Sequence, residues 1–278
     1  MRFSSQVFAA GAAALLISAS AESQLPSNAA AMTYADLADL SLTAPVAAHV
    51  RLKRAVPLKP AEAGPVPQGV TRFYVQAEVL SLLRGAEGSP ALVSYLADFP
   101  NRADRKPAKP VKKSEYLLLA QPVPGRSGEL RLVAPDAHMP FTAERAAQLR
   151  SILAEAAAGG AAPRITGVGR AFHVPGSIAG ESETQIFLQT AAGDPVSLTV
   201  LRRPGQTPQW AVALGDIVDQ AAAEPRPNTL LWYHLACGLP PSLPPQSFAD
   251  AEAGHAAAIH ADYRFIRQQL GPCARSRR

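Results

Sequence analysis

Hydrophobic and polar residues alternate in short runs along most of the chain, with the period of two that is typical of half-buried β-strands. The clearest run lies at 195–202, where Val196, Leu198 and Val200 share one face. Similar or fully apolar runs predict further strands at 46–53, 73–79, 91–97, 116–120, 130–133, 164–174, 183–190 and 210–214. This pattern predicts a chain that is mostly β.

Helical spacing of apolar residues occurs at four places. Near the start, Thr33 caps a predicted short helix at 33–41, and a longer amphipathic helix follows Thr142. Two more predicted helices close the chain, at 229–237 and at about 248–270. The helices therefore flank the strand-rich regions rather than alternate with single strands, which indicates an α+β fold class.

The first strand-rich region has a distinctive order of elements. A helix and a strand precede a longer strand that ends in Leu83-Arg84-Gly85, and a further strand leads to Glu115-Tyr116-Leu117-Leu118-Leu119 and a closing hairpin. Over residues 33–135 this order resembles secreted OB-type barrels such as the netrin and tissue-inhibitor-of-metalloproteinase modules, without the cysteines that staple those modules. The layout is also similar to that of exported bacterial proteins. OB-type barrels bind proteins, sugars and nucleic acids through variable loops, so the resemblance implies a fold but leaves the function open.

An Ala/Gly stretch at 156–163 is the best candidate for a boundary between two parts. Residues 33–158 are predicted to form an OB-like β-barrel with flanking helices. Residues 163–278 are predicted to form a small antiparallel β-meander domain closed by the two C-terminal helices. No internal repeat is apparent.

The N-terminus is typical of a signal peptide. Arg2 precedes an apolar stretch from Val7 to Ile17, and Ala19-Ser20-Ala21 then supplies the small residues that a signal peptidase needs. We expect cleavage after residue 21, a linker at 22–32, and an exported protein in the periplasm or secreted. No apolar run reaches the roughly 18 residues of a membrane-spanning helix, so we expect no transmembrane segment after cleavage.

The chain has two cysteines, and an isolated pair in an oxidising compartment is more often a disulfide than two free thiols. Cys237 ends one predicted closing helix, just before Gly238, and Cys273 lies just past the other. The proline-rich connector at 238–246 favours an extended course that can return along the second helix. We predict a Cys237–Cys273 disulfide.

The formal net charge of +5 is concentrated in two segments, 102–113 and 264–278. The first is a candidate patch for an anionic surface and contains Arg102, Arg105, Lys106, Lys109, Lys112 and Lys113. The alternative interpretation is a solvated loop and a solvated tail. Aromatic residues are not interleaved with these cations, and a signal peptide argues against intracellular nucleic acid, so nucleic acid is disfavoured as a partner.

Motifs that identify a reaction are missing. Gly167-Val168-Gly169 lacks the third glycine of a dinucleotide fingerprint, and Ser177 directly follows Gly176, one place off a nucleophile elbow. Glu252 and His255 have the spacing of half a di-iron site but no second copy. We therefore predict no catalytic residues, no metal ligands and no cofactor, and we interpret His255 as a structural residue.

These observations favour an exported cell-envelope protein that acts as a non-catalytic binding or accessory module. The expected partner is an envelope protein or an anionic envelope surface, reached by salt-sensitive attraction. The alternative is an enzyme that acts on envelope polymers through a site assembled from separated residues.

Overall fold

The computed structural model of the protein describes residues 32–86, 90–104, 106–158, 162–215, 222–249, 251–252 and 254–277. The predicted signal peptide lies outside these residues, as do positions 22–31 of the predicted linker. Arg105 of the basic segment and positions 159–161 of the predicted boundary also lie outside them.

Two antiparallel sheets and five α-helices make up the described part of the chain, which confirms a mostly β, α+β protein. The helices are α1 (Tyr34–Thr43), α2 (Pro60–Ala63), α3 (Ala143–Ala157), α4 (Leu230–Gly238) and α5 (His255–Leu270), with a 3₁₀ turn at Pro245–Phe248. The strands are β1 (Val46–Pro57), β2 (Val70–Arg84), β3 (Leu92–Pro100), β4 (Glu115–Pro122), β5 (Leu130–Leu132), β6 (His138–Pro140), β7 (Ile165–Pro175), β8 (Ser182–Thr190), β9 (Val196–Arg202) and β10 (Gln209–Leu214). In the described residues, no helix combines the length and apolar character needed to cross a membrane.

The first sheet has six strands in the order β3-β2-β1-β4-β5, with β6 paired to β4. Strand β1 pairs with both β2 and β4, and three register shifts along the β1–β2 ladder bend it. The two ends of the sheet approach each other at one parallel bridge between Ser94 and Glu129. No closed barrel is found within the described residues.

The second sheet is a four-stranded meander, β10-β9-β8-β7. Val196, Leu198 and Val200 are buried as predicted, together with Trp210 and Val212. The alternating pattern places Leu214 on the same face as Trp210 and Val212 and predicts that it shares this core, but Leu214 is 54% exposed because it is the last residue of an edge strand. Strand β7 is bent at the two shifts of its register with β8, near Gly167 and Gly169.

One hydrophobic cluster joins α1, α3, α4 and α5 to a face of each sheet. A second, smaller cluster fills the concave side of the first sheet around Val50, Phe73 and Leu118. The predicted division near residue 160 stays a prediction, but the larger cluster contains residues from both sides of it, for example Leu149 and Ile186.

Side-chain caps begin three helices at the residues that the sequence predicts. The Thr33 hydroxyl accepts from the Asp36 N–H, while the Asp36 carboxylate accepts from the Thr33 N–H at 3.0 Å, a capping box. The hydroxyls of Thr142 and Thr229 cap α3 and α4 by accepting from the N–H groups of Arg145 and Trp232, without the reciprocal bond of a capping box.

The last helix is shorter than predicted. Instead of one helix from Phe248 to Leu270, a 3₁₀ turn ends at Phe248 and α5 begins at His255. Gly254, with φ of 98°, sits in the left-handed region directly before α5. The chain therefore changes direction where the sequence pattern predicted a continuous helix.

The predicted Cys237–Cys273 disulfide is present, with the two Cα atoms 4.9 Å apart. It joins the last turn of α4 to the segment after α5. The indole N–H of Trp232 also donates to the Leu270 carbonyl at 2.8 Å, and Arg267 donates to the Leu239 carbonyl at 3.1 Å. The two closing helices are thus held by a covalent bond and by hydrogen bonds.

Candidate functional site

The loop that carries the predicted patch, residues 101–114, joins β3 to β4 at one end of the first sheet. Asn101 anchors its start, because its N–H donates to the Gly69 carbonyl at 2.7 Å and its side-chain oxygen accepts from the Thr71 hydroxyl at 2.6 Å. An isolated bridge between Asn101 and Pro107 follows. These bonds fix the loop to the connection between β1 and β2.

The end of the loop runs beside β1. The Lys113 N–H donates to the Leu52 carbonyl at 3.0 Å, and the Leu52 N–H donates to the Ser114 carbonyl at 2.9 Å. These bonds hold the predicted cations next to the stretch of β1 that carries Arg54. They also lie at the same end of the sheet as Lys59, which precedes α2 in the β1–β2 connection.

We call this end of the sheet the basic pole. It comprises the exposed cations Arg54, Lys59, Arg102, Lys106, Lys109, Lys112 and Lys113. The structure therefore brings together five of the six predicted residues, the sixth being Arg105. It adds Arg54 and Lys59, which the analysis of charge runs missed because they are isolated cations in a strand and in a proline-rich loop.

Acidic side chains neutralise little of the basic pole. Asp104 lies 3.1 Å from Arg102 and 3.8 Å from Lys106. The other five cations have no acidic partner in the described part of the chain: Arg54, Lys59, Lys109, Lys112 and Lys113. Val111, which is 73% exposed, lies among them. The pole combines an uncompensated positive potential with exposed apolar surface, which suits salt-sensitive attraction to anionic groups.

The carboxylate of Glu115, at the start of β4, is paired with two side chains of β1. It accepts from Arg51 at 2.9 Å and lies 2.8 Å from the His49 ring nitrogen. The hydrogen bond from Arg51, and to a smaller degree that from His49, lowers the pKa of Glu115. His49 in turn stacks on Phe141 with 3.9 Å between ring centroids. The Glu115 carboxylate is therefore paired with Arg51 and His49 and does not neutralise a cation of the basic pole.

An aromatic cluster lies inside the first sheet. His138 stacks on Tyr116 at 4.0 Å between centroids, with Phe99 at 5.2 Å and Tyr95 at 5.4 Å. Burial lowers the pKa of His138 to about 4 and raises the pKa of Tyr95. The Tyr95 hydroxyl and the His138 Nε2 are buried and have no hydrogen-bond partner among the described residues.

A polar cluster links the second sheet to α5. The Thr184 hydroxyl donates to Asp262, which is 1% exposed and also accepts from Arg202 at 2.7 Å. His173 Nδ1 lies 2.8 Å from the Thr184 oxygen. The single hydroxyl hydrogen of Thr184 is directed to Asp262. In the contact with His173, the Nδ1–H therefore donates and the Thr184 oxygen accepts. Burial is the main cause that lowers the pKa of His173.

This polar cluster provides no activated nucleophile. The hydroxyl of Thr184 is fully buried and already donates to a carboxylate, so the alternative of an envelope-polymer enzyme gains no support from it. His255, interpreted from sequence as structural, lies with its ring 5.2 Å from that of His173. In the described residues, no group of three His, Cys, Asp or Glu side chains suits a metal ion. Ser177 lies in the β7–β8 loop rather than on a strand-to-helix corner.

Two arginines of the second basic segment, 264–278, are held by ion pairs. The Nε–H and Nη2–H groups of Arg275 donate to Asp39, at 2.6 and 2.9 Å, and those of Arg277 donate to Asp136 at 2.7 and 3.0 Å. The solvated-tail interpretation is therefore wrong for these two arginines. Sequence inspection missed the pairs because each acid is more than 140 residues away from its arginine.

Between these two ion pairs, the Asp36 carboxylate binds the C-terminal tail through hydrogen bonds. It is fully buried and accepts from the N–H and hydroxyl of Ser276 at 2.9 and 2.6 Å and from the Arg277 N–H at 3.0 Å. Burial opposes its ionisation, but the hydrogen bonds, from Ser276 foremost, outweigh burial and lower the pKa of Asp36 to about 2. Arg275 and Arg277 thus dock the tail on α1 and on the connection between β5 and β6, and the basic pole is the candidate site.

Comparison with known proteins adds no functional residue to this description. No protein-family model matches the chain, and no curated protein matches it. The candidate site therefore rests on the geometry and charge of the basic pole.

Proposed function

We propose that this protein is an exported, non-catalytic binding module of the cell envelope, and that its basic pole attaches it to an anionic envelope surface. The observation that carries the proposal is the group of five exposed cations without an acidic partner in the described residues. Export is supported by the signal-peptide pattern at 1–21 and by the Cys237–Cys273 disulfide, because disulfides persist in oxidising compartments.

For the first sheet we propose an OB-like plan. The strand order β3-β2-β1-β4-β5, the sharing of β1 between β2 and β4, and the parallel bridge between Ser94 and Glu129 support it. In such a plan, ligands are bound by variable loops at the ends of the strands. The basic pole consists largely of two such connections, β1–β2 and β3–β4.

The test is binding of the mature protein to phosphatidylcholine vesicles with and without anionic phosphatidylglycerol. We expect binding only to the anionic vesicles, weakening as salt is raised. The triple variant Lys109→Gln, Lys112→Gln, Lys113→Gln should bind about a hundredfold more weakly at low salt, since each lysine near such a surface contributes about 1 kcal/mol.

A second triple variant is the matched control: Arg150→Gln, Arg203→Gln and Arg264→Gln remove the same charge from exposed sites outside the basic pole. Its binding should fall much less. Equal losses in the two variants would show that net charge and not the pole drives binding, and salt-independent binding would overturn the proposal.

A further inference from the structure

The first sheet is open between β3 and β5. Ser94 of β3 forms a parallel bridge with Glu129, the residue directly before β5, and the Ser94 N–H donates to the Gly128 carbonyl at 2.8 Å. Beyond this bridge, no ladder joins β3 to β5 in the described residues. A cavity of about 680 Å³ lies there, lined by consecutive residues of both segments, 94–98 and 129–135. We call this cavity the seam slot.

The β3 side of the seam slot presents unused backbone groups. Along an antiparallel ladder, the N–H and C=O of successive residues point to opposite edges. Because the Ser94 N–H points away from β2, those of Leu96 and Asp98 do so as well and face the slot. Neither residue has a backbone partner on that side in the described chain.

The β5 side is built in the same way. The Glu129 carbonyl and the Val133 N–H are both bonded toward the β4 side of the hairpin. Leu130 belongs to the bridge with Ser94, whereas Leu132, one step further along β5, turns its backbone groups to the seam slot, and the described residues provide no backbone partner for it there. An extended segment between the walls would meet donors and acceptors on both of its edges.

Side chains around the seam slot indicate the chemistry of such a segment. Tyr95 is 2% exposed and lines the slot, and its hydroxyl lacks a hydrogen-bond partner among the described residues. A residue that points inward and carries a hydroxyl group would satisfy it.

The acidic side chains at the rim of the seam slot are paired with arginines, whereas one arginine has no acidic partner among the described residues. Asp98 is paired with Arg72 at 2.7 Å, and Glu129 is paired with Arg126 at 3.1 Å. Arg131 is exposed, donates to the side-chain oxygen of the neutral Gln121 at 2.8 and 2.9 Å, and has no acidic partner in the described part of the chain. The rim is therefore complementary to an acidic residue of the occupant.

We propose that the seam slot binds an extended peptide strand of a partner protein by β-strand addition, which completes the sheet between β3 and β5. The strand carries inward-facing hydroxyl residues toward Tyr95 and outward-facing acidic residues toward Arg131. About six residues match the length of the slot walls. This site does not depend on the attachment of the basic pole to an anionic surface.

The probe for the test is an acetylated and amidated hexapeptide of alternating threonine and glutamate. We expect saturable binding by titration calorimetry and slower hydrogen exchange at the slot-facing amides of Leu96, Asp98 and Leu132. A control peptide, N-methylated at every residue whose N–H faces one wall, should not bind, because it lacks those donors.

The variant Leu96→Pro removes a slot-facing N–H but no hydrogen bond to β2, and should weaken binding about tenfold. Its matched control is Leu214→Pro, the same change at the last residue of β10, the edge strand of the second sheet, which should leave the affinity unchanged. If Leu96→Pro fails to fold, Arg131→Gln is the second test. It should weaken binding of the threonine–glutamate probe and not of a threonine–glutamine probe.

The basic pole is the competing site for an acidic probe. The triple lysine variant should keep most of the affinity, and exchange protection should stay at the slot. Loss of binding in that variant together with unchanged binding in Arg131→Gln would assign the probe to the pole and overturn the proposal, as would equal binding of the N-methylated peptide.

Discussion

Among single residues, His138 should dominate the pH dependence of stability. Its pKa is about 4 in the folded protein, because burial disfavours the charged ring, against an ordinary value of 6.5. The unfolded chain therefore takes up this proton first as the pH falls. We expect the free energy of unfolding to decrease from about pH 6.5 to about pH 4, by about 3 kcal/mol for this residue. Denaturant unfolding at about pH 7 and about pH 4.5 measures the change.

The variant His138→Phe serves as the control for this prediction. Phenylalanine keeps a ring against Tyr116 but cannot titrate, so most of the pH dependence in this range should disappear. A smaller slope of the same sign should remain from His173 and His234, whose pKa values burial also lowers. An unchanged slope in His138→Phe would contradict the assignment.

The closing helices α4 and α5 depend partly on the disulfide. Cys237 and Cys273 are 36 residues apart, and closing a loop of this size stabilises the folded state by about 3.5–4 kcal/mol in the chain-entropy model. Reduction should therefore lower the Tm by about 10 °C. The hydrogen bond from Trp232 to Leu270 should keep the helices together at room temperature, so far-ultraviolet circular dichroism should change little.

The double variant Cys237→Ser, Cys273→Ser should reproduce the reduced protein, and dithiothreitol should not lower its Tm further. If reduction left the Tm of the natural chain unchanged, the disulfide would contribute nothing to stability. If it abolished the helical signal, the hydrogen bonds between α4 and α5 would be insufficient to hold them.

The whole molecule is joined by contacts that cross the predicted boundary near residue 160. The Glu155 carboxylate of α3 accepts from the Leu230 N–H at 2.8 Å, and the Tyr233 hydroxyl donates to Asp39 of α1 at 2.5 Å. Because α1 and α3 bury their apolar faces in the cluster shared with α4, we expect a fragment of residues 32–158 to lose helical structure and to bind the dye anilinonaphthalene sulfonate.

Circular dichroism and dye fluorescence of the fragment, compared with those of the chain from residue 22 to residue 278, provide the measurement. A fragment with full helical content and a cooperative unfolding transition would instead support two independently folding domains, as the Ala/Gly stretch at 156–163 predicts.

Local features of this fold could be predicted from the sequence because they depend on neighbours within about ten residues. The alternation at 195–202 identifies β9, and Thr33, Thr142 and Thr229 identify the starts of three helices, since period and capping are local properties. The charge run at 102–113 identifies most of the basic pole for the same reason.

Only the tertiary structure decided which charges and backbone groups remain unused. Arg275 and Arg277 look as free in the sequence as Lys109, yet long-range packing supplies Asp39 and Asp136 to them, whereas no acid among the described residues pairs with the lysine. The seam slot likewise has no sequence signal, because the curvature of β1 brings β3 and β5 together at Ser94 and separates them beyond it. Periodicity reports whether a side chain is buried, whereas ion pairs and open strand edges depend on registers between segments that are distant in sequence.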